Sequence, residues 1–374
     1  MKIVLINDSI YKYACGAPSA VGGAERQQWL LARALAKAGW TVTVGISDGI
    51  GLGVRKRVDG VELVGIGYGH GHILSAWFRF LMTEKPSWWY WRCSSHLLGP
   101  GVAMAKALTV KTIFSAALDP DVNPRLALFH HPRWWRLYAC GLAWADKIFV
   151  QHAGQYAGLT PTLRSKAFIV PSIAGDRAGM KPHAERASYV AWVGQFKYPK
   201  RPDLLVHIAR KSADVHYVVC GGPSTFSSPP GYSEDVMREM RKQPNIEFLG
   251  QVPPDQAQRV IADAAMLIST SDTEGFPNTF LEAWSSGTPV VSLKIDPDSA
   301  ICRFGLGVLT GNADRAVDEI RRLIAAPERR EEIALNARRY IAEIHSEAAV
   351  TAMFNRAVQD QAVLSHDSAE TSLA

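Results

Sequence analysis

Two carboxylates stand eight positions apart in the stretch DTEGFPNTFLEAW (272–284), Glu274 and Glu282, with a glycine, a proline and an asparagine between them. Gly275 lets a backbone approach a ligand closely. The amides before a helix make a site for a phosphate or a sugar hydroxyl. Glu274 would then face a group rich in donors, such as sugar hydroxyls. Glu282, about one helical turn deeper, could accept two hydrogen bonds from a ribose diol. The competing reading is local. Thr279-Phe-Leu-Glu282 fits a capping box, with Thr279 as N-cap and Glu282 reaching back to its amide. That reading explains neither Glu274 nor the run Gly275, Phe276, Pro277, Asn278. The residues alone leave both open.

Such a loop needs a strand before it and a helix after it. "AMLIST" and "NTFLEAWSSG" supply them. The same alternation runs along the chain. "KIVLIND" is a branched, apolar run suited to a buried parallel strand. The loop "CGAPSAVGGAE" follows, then a helix with Trp29, Leu30, Ala34 and Leu35 on one face and Gly39 as its stop. "WTVTVGI" and a hairpin turning at Asp59-Gly60 come next. Further strands are expected at "WWYWR", "KTIFSAA", "KIFVQH" and "AFIV".

Residues 171–188 are rich in Gly, Pro, Ala and charge and read as a linker. A second series of strands follows, "YVAWVG", "VHYVVCG", "IEFLG", "AMLIST" and "PVVSL", separated by helices. Strands that alternate with helices imply parallel sheets. The expectation is an α/β protein of two Rossmann-like, doubly wound domains, 1–170 and 171–345, facing a cleft. Residues 313–361 read as nearly continuous helix, and 363–374 as a disordered tail. In such sheets ligands sit outside the carboxyl ends of the strands, so loops that follow strands and open helices carry the interest.

Bulk properties narrow the classes. A chain of 374 residues exceeds what a single core usually supports. A net charge of +6 suits anionic small molecules, nucleic acid or an acidic membrane surface without choosing among them, although no nucleic-acid partner is expected. The five cysteines are scattered and contain no CxxC, which argues against disulfides and structural zinc and for free buried thiols. The first apolar run is too short for a signal peptide, and no stretch is long enough to span a bilayer. A cytoplasmic protein is expected, with attachment to a membrane surface open.

Residues 274–282, in the setting "TSDTEGFPNTFLEAWSSGTPVVS", resemble the E-x7-E motif of retaining GT-B glycosyltransferases of family 4, the group 1 glycosyltransferases. "AWVGQFKYPKRPDLL" (191–205) resembles the same family's first strand and loop of the second domain, where a lysine six residues after a glycine grips the diphosphate. Those are Gly194 and Lys200 here. "GGAERQ" (22–27) resembles the family's glycine-rich loop, placing Gly22 and Gly23 near the donor phosphates.

The resemblance implies a GT-B architecture whose last helix, 346–362, packs back on the first domain. It also implies transfer, with retention, of a hexose from a UDP- or GDP-sugar to a saccharide or lipid-linked acceptor. Lys200 would hold the leaving diphosphate, Glu274 orient the sugar and Glu282 the ribose. Gly275, Phe276, Pro277, Asn278 and Thr279 would line the donor. No cofactor and no metal is implied.

Two departures stand out. The family usually has an arginine directly after that glycine. Gln195 stands here, so one cationic clamp is missing unless Arg201 replaces it. Many relatives carry a histidine at the end of the strand in "IFSAALDPDVNP" (113–124). Here Asp119 would contact the sugar or acceptor instead, or it forms an Asx turn before Pro120. These departures keep open a catalytically weak scaffold subunit. A nucleotide-sugar epimerase would need acid and base residues that are not apparent. The histidines of "GHGHIL" and "FHHPRWW" lack partners at ligand spacing. "WWYWR" reads as core, whereas Trp134 and Trp135 of "PRWWRLY" suit a membrane surface or a lipid-linked acceptor.

Overall fold

The computed structural model describes residues 1–7, 9–17, 22–47, 49–67, 72–128, 132–175, 181–224 and 228–359. The expectations for His70, His130 and His131, for the middle of the linker and for the tail lie outside these residues.

The chain divides into two compact units. The first comprises Met1–Asp8, Leu31–Pro171 and Ala348–Ala374, the second Ser9–Leu30 and Ser172–Glu347. Residues 9–30 thus group with the second unit, where Gln27 Nε2 donates to the Ile173 carbonyl at 2.9 Å and Gln27 Oε1 accepts from the Ile173 amide at 2.8 Å.

Among the described residues the first unit holds eight strands: β1 (Lys2–Ile6), β2 (Thr41–Ile46), β3 (Arg55–Val58), β4 (Val61–Gly65), β5 (Trp88–Arg92), β6 (Lys111–Ser115), β7 (Lys147–Val150) and β8 (Ala167–Ile169). Their order is β3-β4-β2-β1-β5-β6-β7-β8, parallel except for the β3–β4 hairpin. Asp59 and Gly60 turn that hairpin at φ 49° and 84°, as a two-residue loop matched to strand twist requires. Chain order reverses between β1 and β5, the switch point of the sheet. β5 is core as expected, with Trp88, Trp89 and Tyr90 buried. Phe354, on the helix Glu347–Val358, packs edge-on against Trp40 and Phe149 at 5.6 and 5.3 Å.

Among the described residues the second unit holds six parallel strands: β9 (Tyr189–Val193), β10 (His216–Cys220), β11 (Ile246–Gly250), β12 (Met266–Ser269), β13 (Val290–Ser292) and β14 (Gly307–Leu309). Their order is β11-β10-β9-β12-β13-β14, so the switch point lies between β9 and β12. Cores form on both faces. One is built around Trp192, Tyr217 and Ile268, the other around Phe280, Trp284 and Ile301.

Three expectations are corrected. The helical run over 313–361 is broken into Ala313–Ala325, Pro327–Tyr340 and Glu347–Val358. Pro327 has no amide to continue the first of these, and a π turn at Ile341–His345 precedes the last. β14 is an additional edge strand, too short and too rich in glycine to stand out. The thiols are free, but only Cys220 is buried, and Cys15 and Cys302 are exposed.

Candidate active site

In the second unit, adjacent parallel strands β9 and β12 send their following loops to one place. Trp192 Nε1 donates to Thr270 Oγ1 at 3.0 Å, Thr270 Oγ1 donates to the Lys200 carbonyl at 2.7 Å, and the Asp272 amide donates to the Pro199 carbonyl at 2.8 Å. Phe196, wholly buried, anchors the first loop from below. This framework brings Lys200 and Glu274 together, though 74 residues separate them. Their ammonium and carboxylate form an ion pair, and Ser271 Oγ donates to the same Oε1 at 3.0 Å.

The remaining cations differ in availability. Arg201 sits in the left-handed region at φ 49°. It donates to Asp203 through Nε and Nη2, at 3.0 and 2.8 Å, and to Asp272 through Nη1 at 3.1 Å. Hydrogen bonding to Asp203 above all pushes its pKa up. Its charge is thus committed to two carboxylates and does not stand in for an arginine at the exposed Gln195. Lys197, one step beyond Phe196, is pushed below its ordinary range by burial and by the neighbouring Lys200 charge, with Glu274 opposing. Sequence reasoning passed over Lys197 because it lies off the motif.

The helix Asn278–Ser285 carries the second glutamate. Pro277, at φ −64° and ψ 124°, occupies the N-cap position, and no side chain caps the helix there. The capping box on Thr279 is therefore not formed, because the helix begins one residue before it. Glu282 lies too deep to reach back. Its Oε1 pairs with Arg26 Nη2 at 3.3 Å, and its Oε2 accepts no hydrogen bond among the described residues.

Asn278 locks this helix to the start of the helix Gly23–Lys37. Its Nδ2 donates to the Gly23 carbonyl at 3.0 Å, and its Oδ1 accepts from Gln27 at 2.8 Å. A Cβ on Gly23 would lie 2.5 Å from Asn278 Nδ2, and one on Gly22, at φ 112°, 2.1 Å from Glu25. Gly22 is favoured by its left-handed backbone, whereas a Cβ on Gly23 would displace the Asn278 amide. Phe276 points into the core against His345 at 4.8 Å, and Gly275 and Pro277 are buried. Gly194 stacks over Trp192, and a Cβ there would lie 3.3 Å from the ring, a tight contact.

Asp119 belongs to the first unit. Its Oδ1 accepts from His152 Nε2 at 2.9 Å and from Gln155 Nε2 at 3.1 Å. His152 Nδ1 accepts from the Gln155 amide, which puts the ring proton on Nε2. The Asx turn on Asp119 is not formed. Asp121 ties that loop instead, accepting from the amides of Ala117 and Leu118 at 2.7 and 3.0 Å. A histidine is thus present at a strand end, on the neighbouring β7. Trp134 is exposed, and Trp135 is half-buried with Arg125 and Arg136 over its ring at 5.4 and 5.7 Å. Among the described residues, no His, Cys, Asp and Glu gather in a metal-holding group, and no helix is long and apolar enough to cross a membrane.

Comparison with known proteins bears on the family and the fold. Residues 177–340 match the family model for glycosyl transferases group 1. A D-inositol 3-phosphate glycosyltransferase of Corynebacterium efficiens is 28% identical over 154 residues, 38% of this chain and 36% of the relative. The chain thus spans about a third of the length of the curated relatives it matches. Over 96% of the chain the fold resembles sucrose-phosphate synthase from Thermosynechococcus elongatus (TM-score 0.76, 15% identity, 98% of that chain). It also resembles, over 96% of the chain, HepE of Anabaena, solved with UDP and glucose (TM-score 0.72, 15% identity, all of that chain). Both are GT-B proteins, and the fold of this chain is GT-B.

Proposed function

This chain belongs to the group 1 glycosyl transferases through residues 177–340, and from that premise we propose that it transfers a hexose from a nucleotide-sugar to a saccharide or lipid-linked saccharide in glycan synthesis. The carrying observation is the Lys200–Glu274 pair at the switch point between β9 and β12. A diphosphate arriving there outbids the single Glu274 carboxylate for Lys200. Lys200 then faces charge that grows as the sugar–phosphate bond breaks, which is where a fixed cation accelerates reaction. Glu274, released, accepts from sugar hydroxyls, and Glu282 accepts from the ribose through its uncommitted Oε2. Lys197 adds the second positive charge that Gln195 lacks.

No carboxylate of this unit is assigned as a nucleophile. Retention then follows from attack on the face that the diphosphate leaves, with the leaving phosphate taking the acceptor proton. UDP-sugars are the first donors to test, since HepE is solved with UDP and glucose, and GDP-sugars the second. A cytoplasmic protein touching a membrane through Trp134, Trp135 and their arginines is the corresponding placement.

The testing experiment incubates the full chain with UDP- and GDP-hexoses and follows release of nucleoside diphosphate and formation of a glycosylated product. Neither released diphosphate nor product with any donor would overturn the reading. The commitment of Arg201 to Asp203 and Asp272 favours one alternative, a sugar-binding scaffold subunit, which would bind donor without turnover.

A further inference from the structure

The first sheet has its own switch point, and a cleft of about 200 Å³ opens there. It lies at the carboxyl ends of β1 and β5, lined by Ile6, Trp77, Trp91, Arg92, Cys93 and Ser94 among others. That volume holds one charged group of a ligand rather than a whole nucleotide-sugar. Arg92 and Trp77 line it, each with an unpaired donor behind its surface. Arg92 Nε and Trp77 Nε1 are both shielded from solvent and hydrogen-bond to nothing among the described residues. Both groups are donors only, and a buried donor left unpaired is costly enough to need an explanation.

The charge is unmatched as well. Arg92 Nη1 donates to the Tyr90 hydroxyl at 3.3 Å and to Ser115 Oγ at 3.2 Å, both neutral and both long. It forms no ion pair among the described residues. Asp121 is near enough to influence it, but that carboxylate serves the amides of Ala117 and Leu118. The guanidinium is held by neutral side chains and keeps its positive charge, since the groups around it offset the cost of desolvation. Trp77, Trp89 and Trp91 meet at ring distances of 5.1–5.6 Å and make the aromatic wall rigid.

We propose that this cleft binds an oxyanion, a phosphate ester or a carboxylate carried by the acceptor, with Arg92 and Trp77 as its donors. The inference rests on the transferase reading only in assigning the anion to the acceptor; the binding itself is independent of it. An acceptor so recognised is an anionic sugar or sugar phosphate.

The test uses the full chain labelled with fluorotryptophan and followed by fluorine NMR, with UDP in excess to occupy the second unit. Inorganic phosphate and, separately, glucuronate are titrated against sodium chloride of equal ionic strength. The expected result is a saturable shift of the Trp77, Trp89 and Trp91 resonances with at least one anion. Phosphate alone points to a phosphorylated acceptor, glucuronate alone to a uronic acid. Affinity should fall about tenfold or more in Arg92→Gln, less in Arg92→Lys, and measurably in Trp77→Phe, which keeps the ring and serves if Arg92→Gln does not fold. No saturable shift with either anion, or affinities unchanged in these variants, would overturn the proposal. Should the protein not bind UDP, the donor reading fails by itself and the anion titration is read unchanged.

Discussion

Lys200 and Glu274 form an ion pair that joins the loops following two adjacent strands, β9 and β12. The two opposite charges neutralise each other. The pairing avoids burying one charge alone, and in the proposed reaction a nucleotide-sugar would take over both partners.

Substitutions at the two ends should therefore act differently. Lys200→Ala should weaken nucleoside diphosphate binding and lower transfer by about 100- to 1,000-fold. Glu274→Gln frees Lys200, so UDP should bind at least as tightly as in wild type while transfer falls. Calorimetry beside turnover checks this. Weaker UDP binding in Glu274→Gln would mean that the carboxylate does not compete for the lysine.

His345 gives an acid-sensitive element under the site. Its Nδ1 donates to the Ser172 carbonyl at 2.7 Å, its Nε2 accepts from the Tyr340 hydroxyl at 3.2 Å, and its ring packs on Phe276. Burial pushes its pKa down to about 4. The unfolded chain, with an ordinary histidine near 6.5, binds the proton more readily than the folded one. Stability from His345 is therefore complete above about pH 6.5 and lost as pH falls toward about 4. His345→Gln should reduce the slope of unfolding free energy against pH in that window by about one proton, read from denaturant titrations at several pH values. An unchanged slope would contradict it.

Gly23→Ala should destabilise the second unit by about 1–3 kcal/mol. Its Cβ would drive Asn278 away and break the hydrogen bonds that hold the two helix starts together. Thermal unfolding checks this, and nucleotide affinity should fall with it.

The exposed face of the first unit makes a membrane prediction. Leu126, Trp134, Leu137 and Trp144 are exposed beside Arg125, Arg133 and Arg136. Trp134→Ala with Trp135→Ala should reduce co-sedimentation with anionic liposomes severalfold, while neutral liposomes sediment little of either protein. Equal sedimentation of variant and wild type would remove the membrane reading.

Much of the fold is legible in the chain because buried parallel strands write themselves as branched apolar runs, as in β1, β2 and β12. The Asp59-Gly60 turn is legible for a similar reason, since few residues accept that backbone. The Lys200 and Glu274 loops are visible as motifs, but their mutual pairing is not, because it depends on which strands become neighbours. The capping box on Thr279 looked sound locally. It failed because Pro277 set the helix start and Arg26, far away in sequence, claimed Glu282. Arg201, Arg92 and Trp77 show the same limit. Whether a donor is spent or spare depends on side chains brought in by other elements, and no spacing rule reports that.

The central claim is that Glu282 and Lys200 belong to a nucleotide site. The most direct measurement is calorimetric titration of UDP, GDP and ADP into wild type and Glu282→Gln, with folding of both checked by thermal unfolding. The account predicts that one nucleotide binds wild type and that Glu282→Gln weakens it about tenfold or more without loss of fold. No binding of any nucleotide, or equal affinity in the two proteins, would contradict it and leave Glu282 as a structural partner of Arg26 and Gln258.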